Sequence, residues 1–142
     1  MSGFLLDTNI PSELVRTVPE ARVKTWVAAR EMGSLHLSVV SVGELHKGFE
    51  IMPDGRRKAH LKDWLAFEMM PLFAGRVLPV TQAIAERWGL FDGQRQMMGR
   101  PLSAPDGMIA ATAAEHGLIL VTRNVKDFEG LGVPLLNPWD LS

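Results

Sequence analysis

Short apolar runs alternate along this chain with longer segments in which apolar residues recur every three or four positions. The runs near 3–6, 35–39, 77–80, 118–121 and 134–136 read as strands. The segments 11–16, 19–31, 42–52, 56–70, 81–98 and 104–116 read as helices. In 81–98, Ile84, Trp88 and Phe91 fall on one stripe, with Arg87 and Arg95 turned away. In 56–70, Leu61, Trp64, Leu65 and Glu68 form a similar stripe. Pro53-Asp54-Gly55 predicts a turn, which makes 42–70 a helical hairpin. Gly117 predicts a left-handed helix end before the fourth strand. Strands alternating with helices imply an α/β fold, a central parallel sheet of four to five strands flanked by helices, joined by right-handed crossovers.

Size and composition narrow the class. The chain has 142 residues, which fits one domain spanning 1–142 with an adequate core. Apolar residues make up 46% and charged residues 22%, ordinary for a globular protein. No apolar stretch is long enough to span a bilayer. Met1-Ser2-Gly3 leads directly into a strand, so no secretory signal is expected. Cysteine is absent, which excludes disulfides and thiolate zinc sites and fits a reducing, cytoplasmic setting. The net charge of −1 argues against a protein that coats nucleic acid. Any nucleic-acid contact must use local basic patches. Arg56-Arg57-Lys58 with His60 and Lys62 is the densest, and it reads either as a solvated face or as a phosphate or acidic-partner contact.

Acidic positions stand close behind the strand-like runs. Asp7 follows Phe4-Leu5-Leu6, Glu44 comes after Leu35-His36-Leu37, Asp106 opens the helix before Leu118–Val121, and Asn124 and Asp127 come after that run. In an open parallel sheet the strand ends converge on one crevice at the point where strand order reverses. Carboxylates gathered there repel one another unless a cation lies among them, and oxygen donors without thiolates suit magnesium or manganese. Helix capping offers a second reading. Ser41-Val42-Gly43-Glu44 fits a capping box, Ser103-Ala104-Pro105-Asp106 fits the related Ser-x-x-Asp pattern, and Asn124-Val125-Lys126-Asp127 fits an Asn cap with an acid three residues on. Asp7 has no such explanation, because Thr8 to Ser12 supply cap candidates without it and no basic residue follows before Arg16.

Four ordered blocks carry a resemblance. They are Phe4-Leu5-Leu6-Asp7-Thr8-Asn9; Ser38 to Leu45 with Gly48; Ala104 to Ala113; and Leu120 to Phe128. The chain resembles the PIN-domain nucleases and, within them, the VapC-type toxins of bacterial toxin–antitoxin pairs, and Asn137-Pro138-Trp139 resembles the tail of one VapC-type subgroup. The resemblance implies Asp7, Glu44 and Asp106 as metal ligands, with Thr8 and Asn9 orienting Asp7. Many relatives carry Asp where this chain has Asn124, which can still offer a carbonyl oxygen but no charge. Asp127 could act through water, Thr122 is a candidate supporting residue, and one ion or two are both left open.

The implied reaction is hydrolysis of RNA phosphodiester bonds, with Mg2+ or Mn2+ polarising the phosphate and acidifying the attacking water. Arg100 and Arg123 are candidate phosphate contacts. No activated protein nucleophile is visible. The resemblance further implies a homodimer and a heteromeric complex with a small antitoxin that also binds operator DNA and inserts an arginine into the crevice. Leu14, Val15, Trp26, Trp64 and Met69 would line a groove for an antitoxin helix, or else belong to the core. The competing readings are a catalytically silent PIN-like binding module, an aspartyl phosphatase and a receiver module. The phosphatase wants a second Asp where Asn9 stands, and the receiver wants a Lys where Thr122-Arg123 stands.

Overall fold

The computed structural model describes residues 3–141; Met1, Ser2 and Ser142 of the expected domain lie outside the described residues. Five short strands form one sheet: β1 (Phe4–Leu6), β2 (Leu35–Ser38), β3 (Val77–Leu78), β4 (Ile119–Val121) and β5 (Leu135–Leu136). Their order is β3-β2-β1-β4-β5, and every pairing is parallel. The chain steps outward from β1 through β2 to β3, then crosses back to β4 on the other side of β1. The order therefore reverses between β1 and β4, and ligands of such sheets bind beside the carboxyl ends of the strands at that point.

Alternation along β1 builds a core on each face. Leu6 packs with Leu35, Leu37, Val121, Leu45 and Leu65 on one side. Leu5 packs with Leu120, Ile84, Ile109 and Phe91 on the other. A central parallel strand is covered on both faces, which is why its residues read as a continuous apolar run.

Helices α1 (Asn9–Leu14), α2 (Ala21–Ala28), α3 (Val39–Glu50) and α4 (Arg56–Trp64) follow the first two strands. A turn of π-helix over Leu65–Met69 and the short α5 (Met70–Leu72) extend α4. Helices α6 (Gln82–Met97) and α7 (Ala104–His116) precede β4, and α8 (Val125–Phe128) precedes β5. Gly117 ends α7 at φ 63°, in the left-handed region that glycine enters without a Cβ penalty.

Two expectations need correction. Helix α3 begins at Val39, not at 42, and the Ser38 hydroxyl caps it by accepting from the Val40 N–H at 3.0 Å. Ser41 and Glu44 thus lie inside the helix, and no capping box forms between them. Arg95 does not turn away; it is buried, and its guanidinium donates to the carbonyls of Asp127 and Glu129 at 2.8 Å each. Much of the basic patch is engaged locally: Arg57 donates to the Val15 carbonyl, Lys58 to the Glu50 carbonyl and Asp54, and Lys62 pairs with Glu50. Among the described residues, no helix is long and apolar enough to cross a membrane.

Candidate active site

The site begins at the end of the central strand. The Asp7 backbone N–H donates to the Val121 carbonyl at 2.9 Å, which continues the β1–β4 pairing by one residue and places the Asp7 side chain at the reversal point. Asp7 is buried. Its Oδ1 accepts from the Thr8 N–H at 2.8 Å, and its Oδ2 accepts from the Thr122 hydroxyl at 2.8 Å. Thr122 accepts in turn from the Asn124 N–H at 3.0 Å, so its single proton is committed to Asp7. Asn9 contributes longer contacts of 3.4 Å to both Asp7 and Thr122.

Glu44 reaches this centre from the second turn of α3. The Thr8 hydroxyl donates to Glu44 Oε1 at 2.6 Å and lies 2.8 Å from Ser41 Oγ, from which it accepts in return. Thr8 thereby joins the two acids, holding Asp7 through its backbone and Glu44 through its side chain. Ser41 is fully buried, and reading it as a helix cap hid this role. Asp106 approaches from the first turn of α7, where its N–H donates to the Ser103 cap hydroxyl at 3.3 Å. An acid there also faces the partial positive charge of the helix start.

The electrostatics report the crowding. Burial pushes the Asp7 carboxyl up to about 6 from an ordinary 3.8, against the opposing pull of its hydrogen bonds to Thr122 and Thr8. The charges of Asp106 and Glu44 push it further in the same direction. Asp106 is also raised, first by burial and then by the charges of Glu44 and Asp127. Acids at the end of β1 and on α3 and α7 thus lie close enough for Glu44 and Asp106 to act on Asp7, and Glu44 on Asp106.

Other positions stand at its margin. Asn124 precedes α8 with no side-chain capping bond, and Asp127 is exposed on α8. Arg123 is exposed, with its guanidinium 5.2 Å from the centre of the Trp139 ring. Arg100 is exposed and lines a cavity of about 280 Å3 together with Ser103, Asp106, Lys126 and Asp127. The sequence offered no signal for Lys126 beyond its place in the last matching block.

The donor set is carboxylate oxygen throughout, with no thiolate and no imidazole among its members, and such a set suits a hard dication. Among the described residues, no three acidic or imidazole side chains are already pinched around a single point. The chemistry of these donors is the kind that magnesium or manganese prefers.

Away from the crevice, a second cavity of about 280 Å3 is mostly apolar and lies between α1, α2 and the end of α4, with Leu14, Trp64 and Met69 in its wall. Val15 is half-buried beside it, whereas Trp26 belongs to the core, edge-on to Phe4 at 5.0 Å.

Comparison with known proteins agrees with this architecture. The PIN domain family matches residues 4–132. The VapC ribonuclease Y4jK of Sinorhizobium fredii is 37% identical over 96% of this chain and 98% of its own length. Toxin FitB of Neisseria gonorrhoeae is 36% identical over 96% of this chain and 98% of its own. The structure of FitAB bound to an IR36 DNA fragment superposes with a TM-score of 0.91 at 34% identity, covering 98% of this chain and 97% of the other. With the sheet order, the buried strand-end aspartate and these end-to-end likenesses in agreement, the chain belongs to the PIN-domain family.

Proposed function

We propose that this protein is a metal-dependent endoribonuclease, a growth-inhibiting toxin held in check by a cognate antitoxin. The observation that carries the reading is the buried Asp7 carboxyl at the strand end, hydrogen-bonded to Thr122 and Thr8 and raised to about 6, with the charges of Asp106 and Glu44 contributing to that rise. A purely structural strand end has little use for a carboxylate whose ionisation is opposed by its surroundings. The relatives named VapC ribonuclease and toxin FitB support the same conclusion, and FitAB on DNA supports a two-component assembly.

Asp7, Glu44 and Asp106 would hold the ion. When bound, magnesium or manganese supplies Lewis-acid polarisation of the scissile phosphate and of the attacking water. Thr122 and the Thr8 N–H fix the plane of the Asp7 carboxylate, and the Thr8 hydroxyl fixes one oxygen of Glu44. The other oxygen of Glu44 is left to orient the water. Asn124 and Asp127 sit where they can contact substrate or water without adding a buried charge. The apolar cavity beside α1 and α4 is the place for an antitoxin helix, and a homodimer is the expected assembly.

Glu44→Gln tests the site. The variant keeps an oxygen for the Thr8 hydroxyl and loses the negative charge. RNA cleavage in manganese should fall at least about a hundredfold, or about 3 kcal/mol, with little change in folding. A folded variant that cuts at the original rate would remove Glu44 from the site.

Manganese binding itself can be read without activity. At a concentration of about a hundred times Kd, the ion should stabilise the fold by about 2.7 kcal/mol, seen as a higher melting temperature. The rise should vanish in Asp106→Asn. A silent binding module would instead leave RNA uncut by antitoxin-free protein in manganese.

A further inference from the structure

The densest basic run of the sequence, residues 56–62, is largely tied up by local carbonyls and acids. The cations beside the acidic crevice lie elsewhere. Arg100 and Lys126 face a polar cavity of about 280 Å3, with Asp106, Asp127 and Ser103 in its wall. Both are exposed, and among the described residues neither forms an ion pair.

Arg95 backs the same cavity and is 3% exposed. Its hydrogen-bond partners are two backbone carbonyls, so its full charge has no anion in direct contact. A buried guanidinium without a counter-ion favours an anion nearby. A second cavity, of about 380 Å3, shares Lys126 and Asp127 with the first. It adds Arg123, Asn124 and Asn137. The two cavities thus meet at Lys126 and Asp127, with Asp106 in the wall of the first and Arg123 in the wall of the second.

We propose that the cavity between Arg100 and Lys126, backed by the buried Arg95, binds a backbone phosphate of the RNA strand next to the one presented to the acidic crevice. The inference rests on the nuclease reading and adds where the strand lies: along α8, not along the basic start of α4. Three cations there offset the repulsion that Asp7, Glu44 and Asp106 impose on a polyanion. Arg95 also holds the carbonyls at the end of α8, which keeps Lys126 on the cavity's edge.

The test measures binding and cleavage separately. Binding of a short fluorescein-labelled single-stranded RNA is followed by anisotropy in EDTA at several salt concentrations, and cleavage of the same RNA is followed in manganese. Arg100→Ala and Lys126→Ala should each weaken binding about three- to tenfold at low salt. Each should flatten the slope of log affinity against log salt by about 0.7, the value for one single-strand phosphate. In cleavage, KM should rise while kcat stays within about twofold. Arg56→Ala, at the exposed start of α4, should change neither quantity.

Unchanged affinity and slope in the Arg100→Ala/Lys126→Ala double variant overturn the subsite, even if the unaltered protein cuts RNA. Loss that appears in Arg56→Ala instead, or no RNA binding at low salt, overturns it as well. RNA that is bound with the predicted slopes but never cut leaves the subsite standing and overturns the nuclease reading.

Discussion

Asp7→Asn should abolish RNA cleavage and at the same time make the protein more stable near neutral pH. The activity loss is expected to be on the order of a thousandfold, about 4 kcal/mol, because the variant removes the charge at the centre of the proposed ion site. The stability gain follows from linkage. The Asp7 carboxyl has a folded value of about 6 against an ordinary 3.8. Between those values the folded chain holds a proton that the unfolded chain releases, so stability falls as pH rises through that window. Ionised Asp7 therefore costs the fold up to about 3 kcal/mol at neutral pH, and below about pH 4 the cost is gone.

Asparagine carries no such cost, and its amide can still accept from the Thr8 N–H. In EDTA at pH 7.5, urea melts should show Asp7→Asn more stable by about 1–3 kcal/mol. The difference should shrink toward zero near pH 4. Equal or lower stability at pH 7.5 would contradict the assignment of Asp7 as a destabilised charge. The same ionisation should shape metal binding: manganese has to displace the Asp7 proton, so its apparent affinity should climb with pH up to about 6 and then level off. Manganese affinity that is flat from pH 5 to 8 would mean that Asp7 does not bind the ion in its ionised form.

Gly107→Ala should damage both the fold and the site, through one steric contact. A Cβ at Gly107 would lie 2.5 Å from Trp88 Cδ1 and 2.8 Å from Trp88 Nε1. Trp88 is packed between α6 and α7, and its buried indole N–H has no hydrogen-bond partner. The ring has little reason to be there other than to fill the space beside the glycine. Overpacking of this kind costs about 1–3 kcal/mol. Because Asp106 is the preceding residue, a shift of α7 also moves that carboxylate, and cleavage should drop at least about tenfold with it.

Trp88→Leu should relieve the clash. In a double-mutant cycle, Gly107→Ala should cost much less in the Trp88→Leu background than alone, with a coupling of about 1 kcal/mol or more. Simple additivity would place the damage somewhere other than this contact.

The sequence determined the local structure on its own wherever short-range chemistry decides it. The apolar runs at 3–6 and 118–121 became β1 and β4 nearly as read, because a central parallel strand is apolar on both faces. Ser103 capped α7 and Gly117 ended it, because each acts on backbone groups within a few residues. Asp7 stood out because no nearby partner explained it.

Tertiary structure alone decided what depends on residues distant in the chain. Ser38 and Ser41 are both chemically able to cap α3. Register settled the choice, since β2 pairs with β3 only as far as Ser38–Leu78 and the backbone turns helical there. Ser41 was thereby freed to meet Thr8, which lies 33 residues earlier in the chain. Arg95 falls on the polar side by periodicity, yet α8 folds over it and supplies two carbonyls for its guanidinium. Above all, the order β3-β2-β1-β4-β5 brings Glu44 and Asp106 near enough to Asp7 for their charges to raise its carboxyl. Hydrophobic alternation specifies which residues face a core but says nothing about which strand lies beside which, and that neighbourhood sets the charges each acid feels.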